Sequence, residues 1–283
     1  DALQEMLDAI AGGSLKSLEA IPKPKVGLTD PDEVPPESEE PWVQLGDLFQ
    51  LGEHRMMCGD STKADDVDAL FQGIVPTLLL TDPPYGVGYD GSPGFRTNRN
   101  THPAKSIVND ELGIDHTPFW AEAFSVMPLN GDAYIFAAPG PLMRAMADAA
   151  EAAKIIQHQW LIWMKDQFVL GGGHYHYRHE HIFYGWKGKS SWQGSRTLDS
   201  VWEVPRPKAS PEHPTMKPVA LNEMAIQNSS QQGAIVADPF LGAGSTLIAC
   251  EKLDRICYGM EIEPRYVQVT IERWQNYTGQ KAV

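Results

Sequence analysis

The sequence predicts an α/β fold, because short apolar segments alternate along the chain with longer segments of helical periodicity. The chain has 283 residues, 42% hydrophobic and 21% charged, which is typical of a globular protein with one large domain. The segments predicted as buried strands are His54–Cys58, Thr77–Leu80, Ala133–Ala137, Gln159–Met164, Glu180–Trp186, Ala234–Ala237 and Ile256–Glu261. The predicted helices are Thr117–Val126, Pro141–Glu151, Pro218–Asn228, Gly244–Lys252 and Tyr266–Tyr277.

The first 41 residues are expected to form an acidic helix and linker, followed by a domain over residues 42–283. Residues 2–11 have an amphipathic helical pattern, and residues 13–43 are rich in proline and acid without a helical or strand period. The sequence shows no basic segment of the kind that starts a signal peptide, and no apolar run long enough for a membrane span. Its three cysteines lack metal-ligand spacing, which fits a reducing compartment. We therefore expect a cytoplasmic protein.

The formal net charge is −14, which by itself argues against a nucleic-acid-binding protein. The charge is unevenly distributed: residues 1–50 carry 11 acidic and 3 basic side chains, whereas residues 86–210 carry 12 of each. The central part of the chain is thus neutral and compatible with a modest, local basic surface. If such a chain binds nucleic acid, its affinity should depend only weakly on salt concentration.

The segment Val236–Thr246, VADPFLGAGST, combines an apolar strand, a glycine turn and the start of a helix. A P-loop would need a lysine after Gly244, and a dinucleotide fingerprint would need a glycine where Leu247 stands. Asp238 before the turn instead favours a ligand with a positive group, such as S-adenosylmethionine, and Glu261 could accept hydrogen bonds from ribose hydroxyls. An ordinary strand-to-helix turn is the alternative.

The second motif, Thr81–Gly86 or TDPPYG, follows another predicted strand. Two consecutive prolines stiffen the turn and remove two N–H donors. Asp82 and the Pro83 carbonyl could accept both hydrogens of a planar exocyclic amine, while Tyr85 stacks on its ring. A rigid proline turn with a capping aspartate is the alternative.

Together the two motifs resemble the amino-group DNA methyltransferases, which modify N6 of adenine or N4 of cytosine. DPPY precedes FxGxG, as in the circularly permuted β class, and the similarity covers about residues 43–275. Asp60 in CGDS, His213, Thr215 and Lys217 in HPTMKP, and Glu261 in EIEPRY match further segments of that family. The resemblance implies a Rossmann-like methyltransferase fold with a mostly parallel seven-stranded sheet, one antiparallel strand, and helices on both faces.

The resemblance also implies direct methyl transfer from S-adenosylmethionine to a flipped base, yielding S-adenosylhomocysteine without a metal. The implied catalytic residues are Asp82, Pro83, Pro84 and Tyr85. The implied cofactor-binding residues are Asp60, Asp82, His213, Thr215, Lys217, Asp238, Phe240, Gly242, Gly244, Ser245, Thr246 and Glu261.

Double-stranded DNA is the implied partner, and adenine is favoured because the cytosine enzymes more often begin the motif with serine. Cytosine-N4 methylation, an amino group in RNA or protein, and a catalytically idle DNA-binding subunit are the alternatives. Residues 168–212 are expected to form a small target-recognition insert, assisted by residues 86–111. The candidate phosphate contacts are Arg96, Arg99, Lys105, Arg178, Arg196, Arg206 and Lys208.

Further expectations concern location and assembly. The resemblance implies the cytoplasm of a bacterium or a phage-infected cell. Relatives of this class often form homodimers, and a membrane is not an expected partner. The N-terminal stretch is similar to the segment that precedes the methylase in phage fusions with a partition-protein-like nuclease domain, so a fused or separate domain of that type is expected.

Overall fold

A nine-stranded sheet forms the core of the protein, for which a computed structural model describes residues 24–85, 115–169, 174–207 and 216–283. The strands are β1 (Leu48–Leu51), β2 (His54–Cys58), β3 (Leu78–Thr81), β4 (Gly131–Ala137), β5 (Ile156–Val169), β6 (Tyr177–Lys187), β7 (Val201–Glu203), β8 (Ile235–Asp238) and β9 (Ile256–Glu261). The helices are α1 (Ala64–Phe71), α2 (Thr117–Val126), α3 (Pro141–Ala152), α4 (Val219–Ser229), α5 (Ser245–Lys252) and α6 (Pro264–Thr278).

The order of strands across the sheet is β1-β2-β9-β8-β3-β4-β6-β5-β7. The five strands from β2 to β4 in this order are parallel to one another. β1 and β6 run in the opposite direction, and β5 and β7 return to the direction of the majority. The fold is therefore α/β with a mostly parallel sheet, as the sequence predicts.

Burial explains why the central strands are apolar throughout. All four residues of β3 and all seven of β4 are buried, as is typical of parallel strands covered by helices on both faces. One core cluster lies on each side of the sheet, with fully buried Trp163 and Trp274 in the first and Trp120 in the second. These two layers hold the carboxyl ends of the parallel strands in one rigid edge.

All seven predicted strands and all five predicted helices are present, with ends that differ by a few residues. The sheet has nine strands rather than seven because β1 and β7 extend its two edges. Both are only three or four residues long and partly exposed, so they lack the apolar run of a buried strand. Among the seven predicted strands, one, β6, is reversed, in agreement with the expectation.

Residues 168–212, expected to form a recognition insert, contain β6 and β7. β6 lies between β4 and β5 inside the sheet, with Phe183 fully buried. A recognition element in this range is therefore expected from residues outside the two strands and from the exposed start of β6.

The predicted linker is described from residue 24, and this part packs along the folded domain without forming a helix or strand. The Leu28 amide donates to the Tyr277 carbonyl at 2.8 Å, and the Trp42 amide donates to the Gln268 side chain at 3.1 Å, both on α6. Residues 1–23, including the predicted helix, lie outside the described residues. Within the described ranges no helix combines the length and apolar character needed to cross a membrane.

Candidate active site

Asp82 stands immediately after β3, at the edge where the parallel strands end. Each of its carboxylate oxygens has a donor. The Tyr85 hydroxyl donates to Oδ1 at 2.6 Å, and the Lys217 ammonium contacts Oδ2 at 2.5 Å. The Asp82 side chain is 29% exposed, so it remains reachable from solvent. This is an acceptor already in use by two donors, one of which is a cation.

Lys217 connects Asp82 to a second buried ion pair. Its ammonium lies 3.3 Å from Oε2 of Glu180, whose Oε1 contacts the Lys165 ammonium at 2.5 Å. Asp82, Glu180, Lys165 and Lys217 thus form a cluster of two acids and two lysines, which we name the charge quartet. Because its formal charges sum to zero, the quartet satisfies the requirement that buried charges be paired.

The sheet register explains how the quartet forms. Ala137 at the end of β4 pairs with His181 near the start of the reversed strand β6, which brings Glu180 to the edge where β3 and β4 end. On the other side of β6, Trp163 pairs with Glu180, and Lys165 follows two residues later in β5. A reversed strand between two forward strands is therefore what delivers an acid to this edge.

Electrostatic interactions within the quartet favour the charged forms of Lys217 and Glu180. Burial raises the pKa of Asp82, and this effect outweighs the attraction of Lys217. Burial alone would lower the pKa of Lys217, but Asp82 and Glu180 together raise it above its ordinary value. Burial likewise opposes ionisation of Glu180, but Lys217 and Lys165 bring its pKa below the usual range.

The proline turn after Asp82 is fixed from below by Trp120. The indole Nε1 of this fully buried residue donates to the Pro84 carbonyl at 2.9 Å. The Lys217 ammonium lies 5.7 Å from the centre of the Tyr85 ring. The turn, the ring and the carboxylate are thereby held as one unit.

The glycine turn lies beside this unit because β8 is the neighbour of β3 in the sheet. Oδ1 of Asp238 accepts hydrogen bonds from the Thr81 hydroxyl at 2.7 Å and from the Phe240 amide at 3.1 Å. Gly242 and Gly244 both have positive φ, +54° and +82°, as non-glycine residues rarely do. A Cβ at Gly242 would meet no atom within 4 Å, so the turn faces open space there.

Glu261 closes the other side of the glycine turn. Its Oε2 accepts from the Gly242 amide and its Oε1 from the Glu263 amide, both at 2.9 Å. Burial raises the pKa of Glu261 to about 7 and that of Asp238 to about 6. Neither acid has an ion-pair partner among the described residues, in contrast to the acids of the quartet.

Asp60 lies near Glu261 because Cys58 pairs with Glu261 across β2 and β9. Its Oδ1 accepts from the Thr62 hydroxyl at 2.7 Å, and hydrogen bonds from Thr62 hold its pKa below the ordinary value although burial opposes this. The Phe240 ring packs on Phe119, with centroids 5.7 Å apart. We call the group of Asp60, Asp238, Glu261 and the glycine turn the acidic cleft.

The remaining predicted site residues divide into three groups. Ser245 and Thr246 begin α5 directly after the glycine turn, and Arg178 donates from Nε to the Lys165 carbonyl at 2.9 Å. Arg206 faces Asp166 at 4.0 Å, and Arg196 is exposed on the surface. Outside the described residues lie His213, Thr215, Arg96, Arg99, Lys105 and Lys208.

Sequence reasoning missed Lys165 and the pairing of Glu180 with two lysines. Lys165 is 7% exposed at the end of an apolar strand, where a lysine without a buried acid partner would be costly. The one feature of the sequence that could have indicated it is a lysine at the end of the apolar run QWLIWMK. In the part of the chain that the structure describes, no three His, Cys, Asp or Glu side chains group as metal ligands.

The chain is similar to known proteins in sequence and in structure. Residues 77–272 match the N6/N4 family model described as DNA methylase. The type II methyltransferase M.HpaI from Haemophilus parainfluenzae is 26% identical over 246 residues, covering 78% of this chain and 74% of that protein.

Two solved structures share the fold. The complex of M1.HpyAVI with SAM has a TM-score of 0.56 at 23% identity, covering 77% of this chain and 98% of that one. The cytosine-N4-specific PvuII DNA methyltransferase has a TM-score of 0.58 at 12% identity, covering 81% and 90%. Since the family model spans more than half of the chain, including β3 with Asp82 and β8 with the glycine turn, this protein belongs to the N6/N4 family of DNA methylases.

Proposed function

We propose that this protein transfers a methyl group from S-adenosylmethionine to the exocyclic N6 of adenine in DNA. The observation that carries the proposal is the position of Asp82. Its carboxylate already accepts from two donors at the strand edge, directly beside a glycine turn flanked by acids that lack a cation. An amine donor and a positively charged methyl donor fit these two neighbouring places.

The acidic cleft supports the choice of cofactor. Asp238 is buried and Glu261 is half-buried, and neither has a cationic partner among the described residues, so a ligand bearing an ammonium and a sulfonium would supply the missing positive charge. Glu261 lies at the end of the strand after the glycine turn, where its remaining lone pairs can accept from ribose hydroxyls. Open space in front of Gly242 gives the ligand room. The relative M1.HpyAVI was solved with SAM in place.

The amine half of the site supports direct transfer. Asp82 would accept one N–H of the base, where Tyr85 and Lys217 donate now, and the Pro83 carbonyl would accept the other. These bonds draw the nitrogen toward a tetrahedral geometry and stabilise the transition state. When bound, S-adenosylmethionine supplies a methyl group whose C–S bond breaks as the nitrogen lone pair forms the C–N bond. Asp82, whose pKa is raised by burial, is placed to take the proton that the nitrogen then releases.

The preference for adenine rests on the first residue of the motif, which is aspartate here and more often serine in cytosine enzymes. Cytosine-N4 methylation is the second candidate, because the chain shares its fold with the cytosine-N4-specific PvuII enzyme. The reaction geometry at Asp82 is the same for either base.

We assign DNA recognition to residues 168–212 outside the buried parts of β6 and β7, including the exposed start of β6, and to residues 86–111. The target base would be extruded from the duplex to reach Asp82, with Tyr85 stacking on it. Among the described candidates, Arg178 contacts the backbone of Lys165 and thus lies nearest to the charge quartet.

Incubation with methyl-labelled S-adenosylmethionine and unmodified bacterial DNA, followed by nucleoside mass spectrometry, tests this proposal. N6-methyladenosine supports it, and N4-methylcytosine supports the second candidate. Asp82→Asn is the matched control, since it keeps the shape of the side chain but removes the carboxylate. If the protein binds the cofactor but produces no methylated nucleoside in several genomic DNAs, the enzymatic assignment is wrong.

A further inference from the structure

We infer that the N-terminal arm, residues 24–43, positions the active site through Asp32 and Arg273, so that it acts as part of the enzyme rather than as a linker. This inference rests on the proposed function, because the parts it positions are the glycine turn and the segment that carries Lys217. Asp32 of the arm contacts the start of the helix that follows Lys217. Arg273 of α6 connects the arm to the glycine turn.

Arg273 on α6 joins the arm to the glycine turn. Its guanidinium donates from Nη2 to the Pro31 carbonyl at 2.7 Å and from Nη1 to the Ala243 carbonyl at 2.6 Å. Nη1 also lies 3.4 Å from Sδ of Met216, the residue before Lys217. One side chain therefore holds three separate segments of the site at fixed distances.

Arg273 is 2% exposed, and no carboxylate forms an ion pair with it among the described residues. Burial lowers its pKa to about 10, while Asp32 and Asp30 act in the opposite direction. A buried cation costs stability unless hydrogen bonds and nearby charge compensate for it. The acids of the arm provide that compensation, which ties the position of the guanidinium to the presence of the arm.

Asp32 supplies a second connection, to the start of α4. The first amide of this helix, that of Val219, donates to Oδ1 of Asp32 at 2.8 Å. The residue at the capping position is Pro218, whose side chain has no acceptor, so a distant carboxylate fills the role of the helix cap. Lys217, which contacts Asp82, is two residues before this amide. Loss of the cap would let the Lys217 segment move relative to Asp82.

The other end of the arm provides a control. Lys25 contacts Glu251 and Asp254 at 3.2 and 2.7 Å, and its amide donates to the Lys252 carbonyl. These contacts lie at the last turn of α5, whereas the glycine turn precedes its first turn. Lys25→Ala should therefore loosen only the first residues of the arm and leave Pro31, Asp32 and the cofactor turn in place.

The test compares Asp32→Ala, Asp32→Asn and Lys25→Ala in the full chain. Asp32→Ala is expected to raise the dissociation constant for S-adenosylmethionine about fivefold, the effect of losing one capping hydrogen bond. Asp32→Asn keeps an oxygen acceptor for the Val219 amide, and Asp30 still acts on Arg273, so the dissociation constant should stay within about twofold of that of the parent protein. Lys25→Ala should lower the melting temperature and leave cofactor affinity unchanged. Calorimetry measures the affinities, and hydrogen exchange in the cofactor-free proteins measures protection of the Val219 and Gly242–Thr246 amides.

Faster exchange of these amides in Asp32→Ala, together with rescue by asparagine, supports the inference. Equal affinity and equal protection in all three variants overturns it. If the parent protein binds no S-adenosylmethionine, the proposed function fails, and the exchange data alone decide whether the arm holds the two segments.

Discussion

The two halves of the active-site edge treat buried carboxylates in opposite ways. In the charge quartet, Asp82 and Glu180 are neutralised by two lysines within 2.5–3.3 Å. In the acidic cleft, Asp238 and Glu261 are surrounded by hydroxyl and amide donors, and burial raises their pKa values to about 6 and about 7. The first half is complete in charge and suits a neutral base. In the second half Asp60 faces Lys63 at 3.6 Å, but Asp238 and Glu261 have no cationic partner among the described residues, which suits a cationic cofactor.

The largest expected effect comes from removing the acceptor in the first half. Asp82→Ala should lower the methylation rate by about 10²-fold or more, because transition-state stabilisation of this kind is worth that much. Cofactor affinity should stay within about twofold, since the acidic cleft is intact. Single-turnover methyl transfer and calorimetry measure the two quantities. A variant that loses cofactor binding instead would show that the halves are not separate.

A smaller effect is expected from unbalancing the quartet. Glu180→Gln leaves two lysines facing one acid, and we expect turnover to fall about tenfold to a hundredfold as the Asp82 side chain is drawn more tightly to Lys217. The double variant with Lys165→Met restores the balance of charge and should recover part of the rate. The single variant Lys165→Met completes this double-mutant cycle. If the changes in activation free energy of the two single variants simply add up in the double variant, the quartet is not coupled.

The acidic cleft should reveal itself in the pH dependence of cofactor binding. Because burial has raised the pKa values of Glu261 and Asp238 to about 7 and about 6, both carboxylates take up protons as pH falls through this range. Their negative charge is then lost, so the dissociation constant should rise about tenfold between pH 7.5 and 5.5. Calorimetry at four pH values checks this. Asp238→Asn combined with Glu261→Gln should bind weakly and without the pH dependence, and a flat profile in the parent protein would contradict the comparison.

The smallest effect concerns the support beneath the proline turn. Trp120→Phe removes the hydrogen bond to the Pro84 carbonyl and should cost ~1 kcal/mol of stability, with a drop in turnover of a few fold. Thermal unfolding and steady-state rates measure these changes. The acidic cleft should be unaffected, so unchanged cofactor affinity is the internal control.

The sequence predicted the buried framework well because each central strand is a continuous apolar run. It also predicted that Asp82, Asp238 and Glu261 lie at the carboxyl ends of strands, and parallel strands bring such residues to one edge. It did not predict the quartet, because the pairing of Lys165 with Glu180 depends on the register between β5 and β6. The packing of the arm was hidden for a different reason. Proline-rich acidic segments have no periodic pattern, and their partners, such as Arg273, lie more than 200 residues away in the chain.

The pairing of β3 with β8 has a consequence for folding during synthesis. The Thr81 hydroxyl and the Asp238 carboxylate that join these strands are separated by 157 positions in the chain. During synthesis β3 leaves the ribosome long before β8 exists, and one of its edges stays unpaired until then. Such an apolar edge is prone to wrong pairing, so a nascent chain halted before residue 235 should depend on chaperones that a full-length chain does not need.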